Sequence, residues 1–126
     1  MFDSSGGFRL PDGSVLSPDA SLVAVERWQA LSPGERRGFP PFCPDLVVEL
    51  VSPSDEGPRG VSALRSKLAA YQANGARLGW LLLPDERAVE VWPASGGPDR
   101  LEQTAVLDGG PEFSGLRLQL EEIWQV

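Results

Sequence analysis

The sequence predicts an α/β (α+β) fold in which a mixed central β-sheet is flanked by helices. Two short apolar runs, at residues 46–51 and 78–83, have the composition of buried strands. Between them, residues 61–73 carry apolar side chains at intervals of three and four, the period of an amphipathic helix. The order strand, helix, strand predicts a parallel crossover, and the strand pattern at 88–92 predicts an antiparallel hairpin after it.

The composition indicates one folded domain that spans residues 1–126. A hydrophobic fraction of 41% argues against disorder. The net charge of −7 argues against a protein that coats nucleic acid through a basic surface, although an acidic site can reach phosphate groups through a divalent cation. Because histidine is absent, any catalysis must rely on carboxylates and lysine.

The cysteine content and the hydropathy of the sequence predict the cellular compartment. The single Cys43 cannot form an internal disulfide, and no charged and then apolar leader opens the sequence. We therefore expect a reducing, cytoplasmic setting. Because Cys43 has no basic neighbour in the sequence to lower its pKa, we do not expect it to be a nucleophile. No apolar run approaches the roughly 20 residues that cross a bilayer, so no membrane segment is expected.

The beginning of the chain has the pattern of a β-hairpin. Residues 2–10 are rich in glycine with alternating apolar positions, and residues 15–25 alternate loosely. The sequence Pro-Asp-Gly-Ser at 11–14 is typical of the tight turn between two such strands. This interpretation places Asp19 on the second strand of the hairpin.

The other segments are predicted from local signals. One or two short helices outside the sheet are expected at 26–38, where Ser32 and Pro33 have the types of an N-cap and a first helical residue. The pattern leaves open whether the apolar tail at 113–124 is helix or strand. The remaining predictions are a loop at 52–60, a turn at 84–87 and a strand at 101–107.

Glu49 interrupts the apolar strand, where an ionised carboxylate is costly unless it is paired or bound to a cation. With Asp19 from a neighbouring strand it could hold one Mg²⁺ ion, which prefers few protein ligands and a phosphate oxygen. Lys67 on the next helix could then orient water or neutralise a phosphate, as phosphodiester hydrolysis requires. The structural alternatives are a turn role for Asp19 and an ion pair of Glu49 with Lys67 or Arg65.

Tyr71 follows Lys67 by one helical turn. A tyrosine on the apolar stripe of a helix is typical of a core residue whose hydroxyl group reaches a polar partner. We therefore expect Tyr71 to pack in the core with its hydroxyl group directed at the sheet.

Four segments carry a family resemblance: GGFRLPDGSVLSPDAS at 6–21, PDLVVELVSPSD at 44–55, KLAAYQANG at 67–75 and GWLLLPDERAVEVW at 79–92. Together and in this order they resemble the Uma-two family of restriction-endonuclease-like proteins, which belongs to the PD-(D/E)XK nuclease superfamily. The resemblance is strongest over residues 6–92. It implies a restriction-endonuclease-like core, a Mg²⁺-dependent site in which Mn²⁺ can substitute, and DNA as the substrate.

The resemblance also assigns roles by position. Asp19 and Glu49 match the acidic residues that bind the metal, and with Lys67 they form the implied catalytic set of an endonuclease. In the usual superfamily pattern the lysine follows the acidic residue by two positions, where this sequence has Val51. The role of Lys67 therefore depends on migration of the lysine to the helix.

Family members carry a helix and strands ahead of the segment that begins at Gly6. The sequence lacks that region, so we expect a shortened core without its first elements. A homodimer, or another homo-oligomer, could complete the sheet with a second chain. The alternative to a nuclease is a non-catalytic structural or oligomerising descendant of the same fold.

Overall fold

The computed structural model describes residues 2–3, 7–52 and 58–125. The strands are β1 (Phe2–Asp3), β2 (Phe8–Arg9), β3 (Val15–Leu16), β4 (Ala20–Leu22), β5 (Leu46–Leu50), β6 (Leu78–Leu83), β7 (Ala88–Pro93), β8 (Asp99–Glu102), β9 (Val106–Asp108) and β10 (Arg117–Gln119). The α-helices are α1 (Val25–Gln29), α2 (Pro33–Arg37), α3 (Pro58–Ala73) and α4 (Glu121–Trp124). None of the helices in these ranges is long and apolar enough to cross a membrane.

The main sheet has six strands in the order β1-β4-β5-β6-β7-β8. Strands β5 and β6 are parallel, with Glu49 opposite Leu81, and the other neighbouring pairs are antiparallel. Helix α3 makes the crossover between the two parallel strands, and β7 returns antiparallel to β6. The predicted mixed sheet, its crossover and its hairpin are therefore confirmed.

The first hairpin is confirmed only in part. Strands β2 and β3 pair antiparallel in a sheet of their own, and the amide of Leu10 donates to the carbonyl oxygen of Ser14 across the predicted turn. The predicted second strand is wrong beyond residue 16, because β4 begins at Ala20 and pairs with β5. Pro18 lies between the two strands and has no amide to donate to a sheet. Asp19 thus directly precedes β4 and is not on the hairpin.

The helix predictions hold, with one shifted boundary. In α2, the Ser32 hydroxyl accepts from the Glu35 amide and the Glu35 carboxylate accepts from the Ser32 amide, a capping box. Helix α3 begins at Pro58, three residues before the predicted start, because a proline is compatible with the first turn of a helix. The part of the predicted loop at 53–57 lies outside the described residues.

The prediction of one strand at 101–107 is wrong. The chain forms β8 and β9 there, and Gln103 between them adopts a left-handed backbone with φ of 57°. Strand β8 pairs with β7, whereas β9 pairs with β10 in a separate sheet. The C-terminal segment contributes β10 and α4, so the open question about residues 113–124 resolves into both types of structure.

Two apolar clusters lie on opposite faces of the main sheet. One packs α3 on the sheet through Leu68, Tyr71 and Val47, and the other contains Trp80 and the C-terminal Leu120. Because side chains alternate along a strand, Glu49 points to the same face as Val47, towards α3. The fold thereby places a carboxylate between the sheet and its main helix.

Candidate active site

Glu49 is the buried acidic residue around which the site is built. Only 1% of the residue is exposed, yet its carboxylate meets an ammonium group from α3. The Lys67 Nζ atom lies 2.9 Å from Oε2 and 3.2 Å from Oε1, and the contact with Oε1 has hydrogen-bond geometry. Lys67 also donates to the carbonyl oxygen of Ser17 at 3.1 Å. The ammonium group thus bridges the end of β5 and the segment before β4.

Asp19 lies next to Glu49 across the sheet. Ala20 pairs with Val48, so one further step of the antiparallel register puts Asp19 opposite Glu49. The Oδ2 atom of Asp19 accepts a hydrogen bond from the Leu50 amide at 2.7 Å, which orients the side chain at the end of β5. The structure therefore brings together all three residues that the sequence singled out, Asp19, Glu49 and Lys67.

The electrostatics of Glu49 reflect opposing effects. Burial raises the pKa of its carboxyl group, while the hydrogen bond and the charge of Lys67 lower it, and the nearby charge of Asp19 raises it again. The net result is a pKa above the ordinary value. A positive charge beside the carboxylate favours the ionised form; Lys67 already has this effect, and a bound metal ion would act in the same direction.

The donor set fits a small hard cation with few protein ligands. Oε2 of Glu49 is buried, and its 2.9 Å contact with Lys67 Nζ lacks hydrogen-bond geometry, so an ion at Oε2 would compete with the ammonium group. Asp19 is exposed at the same end of the strand pair, so one cation could contact both carboxylates. Within the described ranges no three His, Cys, Asp or Glu side chains are grouped closely enough to hold a metal. Two carboxylates leave room for water and phosphate oxygens, which Mg²⁺ prefers.

A protein family and a solved structure resemble this chain. The Uma2 family model, described as "Putative restriction endonuclease", matches residues 1–124. The chain belongs to the Uma2 family. A crystal structure from Anabaena variabilis ATCC 29413, titled as a putative nuclease belonging to DUF820, superposes with a TM-score of 0.73 at 20% sequence identity. The match covers 98% of this chain and 66% of that one, so this chain spans just under two thirds of its length. A search of curated proteins found no match.

The structural match confirms the predicted α+β fold class with its mixed sheet. In this Uma2 chain the lysine beside Glu49 comes from α3. Val51 follows Glu49 by two residues, is half-buried and packs against the cluster beneath α3. Lys67 reaches Glu49 from the helix on that face. A lysine at position 51 would lie on the same face of the sheet as Glu49. It would therefore approach the carboxylate from the side that Lys67 occupies.

The structure decides between the two cations proposed as partners of Glu49. Arg65 pairs with another residue: its Nη2 atom lies 2.6 Å from Oε2 of Glu90 on β7, so Arg65 as the partner of Glu49 is wrong. Helix α3 lies over β6, and Arg65 and Lys67 reach the strands on opposite sides of β6. Sequence reasoning also missed the Ser17 carbonyl and Leu50 amide, because backbone groups leave no signal in residue types.

Proposed function

We propose that this chain is a Mg²⁺-dependent endonuclease that hydrolyses DNA phosphodiester bonds at Asp19, Glu49 and Lys67, with Mn²⁺ as a substitute ion. The observation that carries the proposal is the carboxylate of Glu49, 1% exposed, with the Lys67 ammonium group 2.9 Å away. The family description, "Putative restriction endonuclease", supports the same class of chemistry. Two carboxylates that can hold a metal ion, with a lysine beside them, suit metal-assisted phosphodiester hydrolysis.

Asp19 and Glu49 are the residues that would hold the ion. When bound, Mg²⁺ would polarise a phosphate oxygen and offset the charge that develops during hydrolysis. The Leu50 amide keeps the Asp19 carboxylate at the end of β5, which reduces the reorganisation that binding requires. Burial keeps water away from Glu49, so its interactions with cations are stronger than on an open surface.

Lys67 is the residue that would act on the substrate. Its ammonium group has three donors, and the described contacts are with the Glu49 carboxylate and the Ser17 carbonyl. Its side chain remains 30% exposed, so a phosphate group or an attacking water molecule could reach it. From this position Lys67 would orient the water or stabilise negative charge on the phosphate.

The proposal includes DNA as the partner, a homodimer as the assembly and the cytoplasm as the compartment. A net charge of −7 disfavours binding through a broad basic surface, so the ion and Lys67 would be the main attachment to phosphate. In the described part of the chain, the main sheet has β1 at one edge and β8 at the other. Such edges expose backbone groups with which a second chain can pair.

A non-catalytic role is the second candidate, and one observation favours it. Lys67 already compensates the charge of Glu49, so the buried carboxylate needs no metal ion to be tolerated. In that case the ion pair would act as a link between α3 and β5, and the protein would serve as a structural or oligomerising module.

A cleavage assay separates the two functions. Wild type, Glu49→Gln and Glu90→Gln are incubated with supercoiled plasmid and labelled duplex DNA in Mg²⁺, in Mn²⁺ and in excess chelator. Glu90 is the matched control because it is also a buried glutamate facing α3. We expect metal-dependent cleavage that falls at least about 100-fold in Glu49→Gln and is retained in Glu90→Gln. Equal cleavage by wild type and Glu49→Gln, or none by wild type, would support the non-catalytic role.

A further inference from the structure

Two buried polar atoms near the site have complementary hydrogen-bonding character. Tyr71 is fully buried, and its hydroxyl group makes no hydrogen bond with the described residues. The Oε2 atom of Glu49 is likewise buried; the Lys67 Nζ atom lies 2.9 Å from it, but that contact lacks hydrogen-bond geometry. A buried polar group left without a partner costs about 1–3 kcal/mol. A phenol donates and a carboxylate oxygen accepts, so Oε2 is a suitable acceptor for the Tyr71 hydroxyl group.

The geometry of α3 and β5 directs these two groups towards each other. The helix runs antiparallel to the strand, because it joins two parallel strands. Tyr71 and Val47 line the same small space between helix and sheet. Glu49 lies about 6.6 Å further along the strand, and the Lys67 turn lies about 6 Å back along the helix. Long side chains on a helix lean towards its N terminus, which aims the Tyr71 ring at Glu49.

Charge supports the same neighbourhood. Burial raises the pKa of the Tyr71 hydroxyl group well above its ordinary value, and the negative charge of Glu49 raises it further, ahead of smaller effects from Cys43 and Asp19. Tyr71 is thus held as a neutral phenol close to the carboxylate. A neutral phenol beside an anion can act only as a hydrogen-bond donor to it.

We propose that Tyr71 is a positioning residue of the site: its hydroxyl group donates to Oε2 of Glu49 through one water molecule and fixes the carboxylate for the ion. The sequence alone assigned Tyr71 only to the core. The inference rests on the proposed function, since it assigns Tyr71 a role towards the same carboxylate. The two oxygens of the Glu49 carboxylate have about four lone-pair sites, so the group can accept from Tyr71 and Lys67 and still bind a cation.

The chain offers a direct probe because Tyr71 is its single tyrosine. Tyrosine labelled with ¹³C at Cζ gives one resonance, whose position responds to the hydrogen bond of the phenol. We expect this resonance to shift in metal-free Glu49→Gln and to stay within its line width in Glu90→Gln, where the changed carboxylate belongs to the Arg65 pair. An unchanged resonance in Glu49→Gln would overturn the proposal.

A second measurement tests the consequence for the ion. Titration calorimetry of Tyr71→Phe with Mg²⁺ and Mn²⁺ is expected to show about tenfold weaker binding than wild type, the usual effect of losing a residue that orients a ligand. Circular dichroism and the melting temperature check that the variant is folded. An affinity within twofold of wild type would overturn the positioning role. If wild type binds no ion, the proposed function and the metal role of Tyr71 both fail, whereas the metal-free resonances still decide the hydrogen bond.

Discussion

Replacing Lys67 with methionine tests the ion pair that defines the site. The change removes an ammonium group 2.9 Å from Oε2 of Glu49, whose side chain is only 2% exposed. Breaking a buried ion pair by removing one partner costs about 3–5 kcal/mol. Because 30% of the Lys67 side chain is exposed, water screens part of the interaction. We therefore expect a loss near the lower end, about 3 kcal/mol of unfolding free energy at pH 8.

The loss should depend on pH, because Glu49 can avoid an uncompensated charge by binding a proton. Burial raises its pKa in wild type, and the effects of Lys67 that lower it are absent from the variant. A carboxyl group whose pKa is higher in the folded than in the unfolded chain binds more protons in the folded state. The free energy of unfolding therefore falls as the pH rises above the pKa of the unfolded chain, about 4.3. Near pH 4, the free energies of unfolding of variant and wild type should differ by less than about 1 kcal/mol.

The assay is urea denaturation followed by the fluorescence of the 4 tryptophans, performed at pH 4 and at pH 8. The control is the double variant Lys67→Met with Glu49→Gln, which replaces the charged pair by neutral side chains. We expect it to recover most of the stability at pH 8 and to lose the extra pH dependence. The reasoning is refuted if Lys67→Met loses equal stability at both pH values, or if the double variant is no more stable than the single one at pH 8.

Three further predictions concern the packing around the site. Arg65→Met should cost about 1–2 kcal/mol in urea denaturation, because it strips the cation from buried Glu90 while the exposed arginine limits the effect; an unchanged midpoint would contradict this. Gly79→Ala should cost about 1–3 kcal/mol in thermal unfolding, since the new Cβ would lie 2.7 Å from Cδ1 of Leu68; unchanged melting would show that Leu68 can move. Burial raises the pKa of Cys43 to about 11. Alkylation of this thiol at pH 8 should therefore be at least about 100-fold slower in the folded than in the urea-unfolded protein. Equal rates would contradict the burial of Cys43.

The central elements could be predicted because local signals and the fold agree there. The run at 46–50 is apolar on both faces of a strand that is covered by α3 on one side and by the C-terminal segment on the other. The stripe in α3 has the helical period because that helix buries one face on the sheet. The crossover then follows from the short connections between these elements.

The position of Asp19 shows where sequence reasoning fails. A hairpin pairs neighbouring segments, so the sequence favours pairing of residues 15–25 with the strand just before them. The structure instead pairs β4 with β5, which follows it by more than twenty residues and is separated from it by two helices. Pro18 marks the break, but a proline alone does not reveal the distant partner that the next strand chooses.

The candidate site could be predicted in its residues but not in its contacts. Glu49 stands out because a carboxylate within an apolar strand needs a partner. The choice between Arg65 and Lys67 could not be made from sequence, since both lie on α3 and either side chain is long enough to reach the sheet. It is set by the position of α3 over β6, from which Lys67 reaches β5 and Arg65 reaches β7. Tyr71 was predicted to be core, and only the structure shows a buried hydroxyl group without a partner in the described residues.

The central claim is that Asp19 and Glu49 share one divalent ion. A crystal soaked in Mn²⁺ and measured at an anomalous wavelength tests it most directly, since the ion is located independently of any activity. The account predicts a single anomalous peak between the two carboxylates at coordination distance, with Lys67 still beside Glu49. The absence of a peak at these carboxylates, with the pair of Glu49 and Lys67 intact, would contradict it and favour the non-catalytic role.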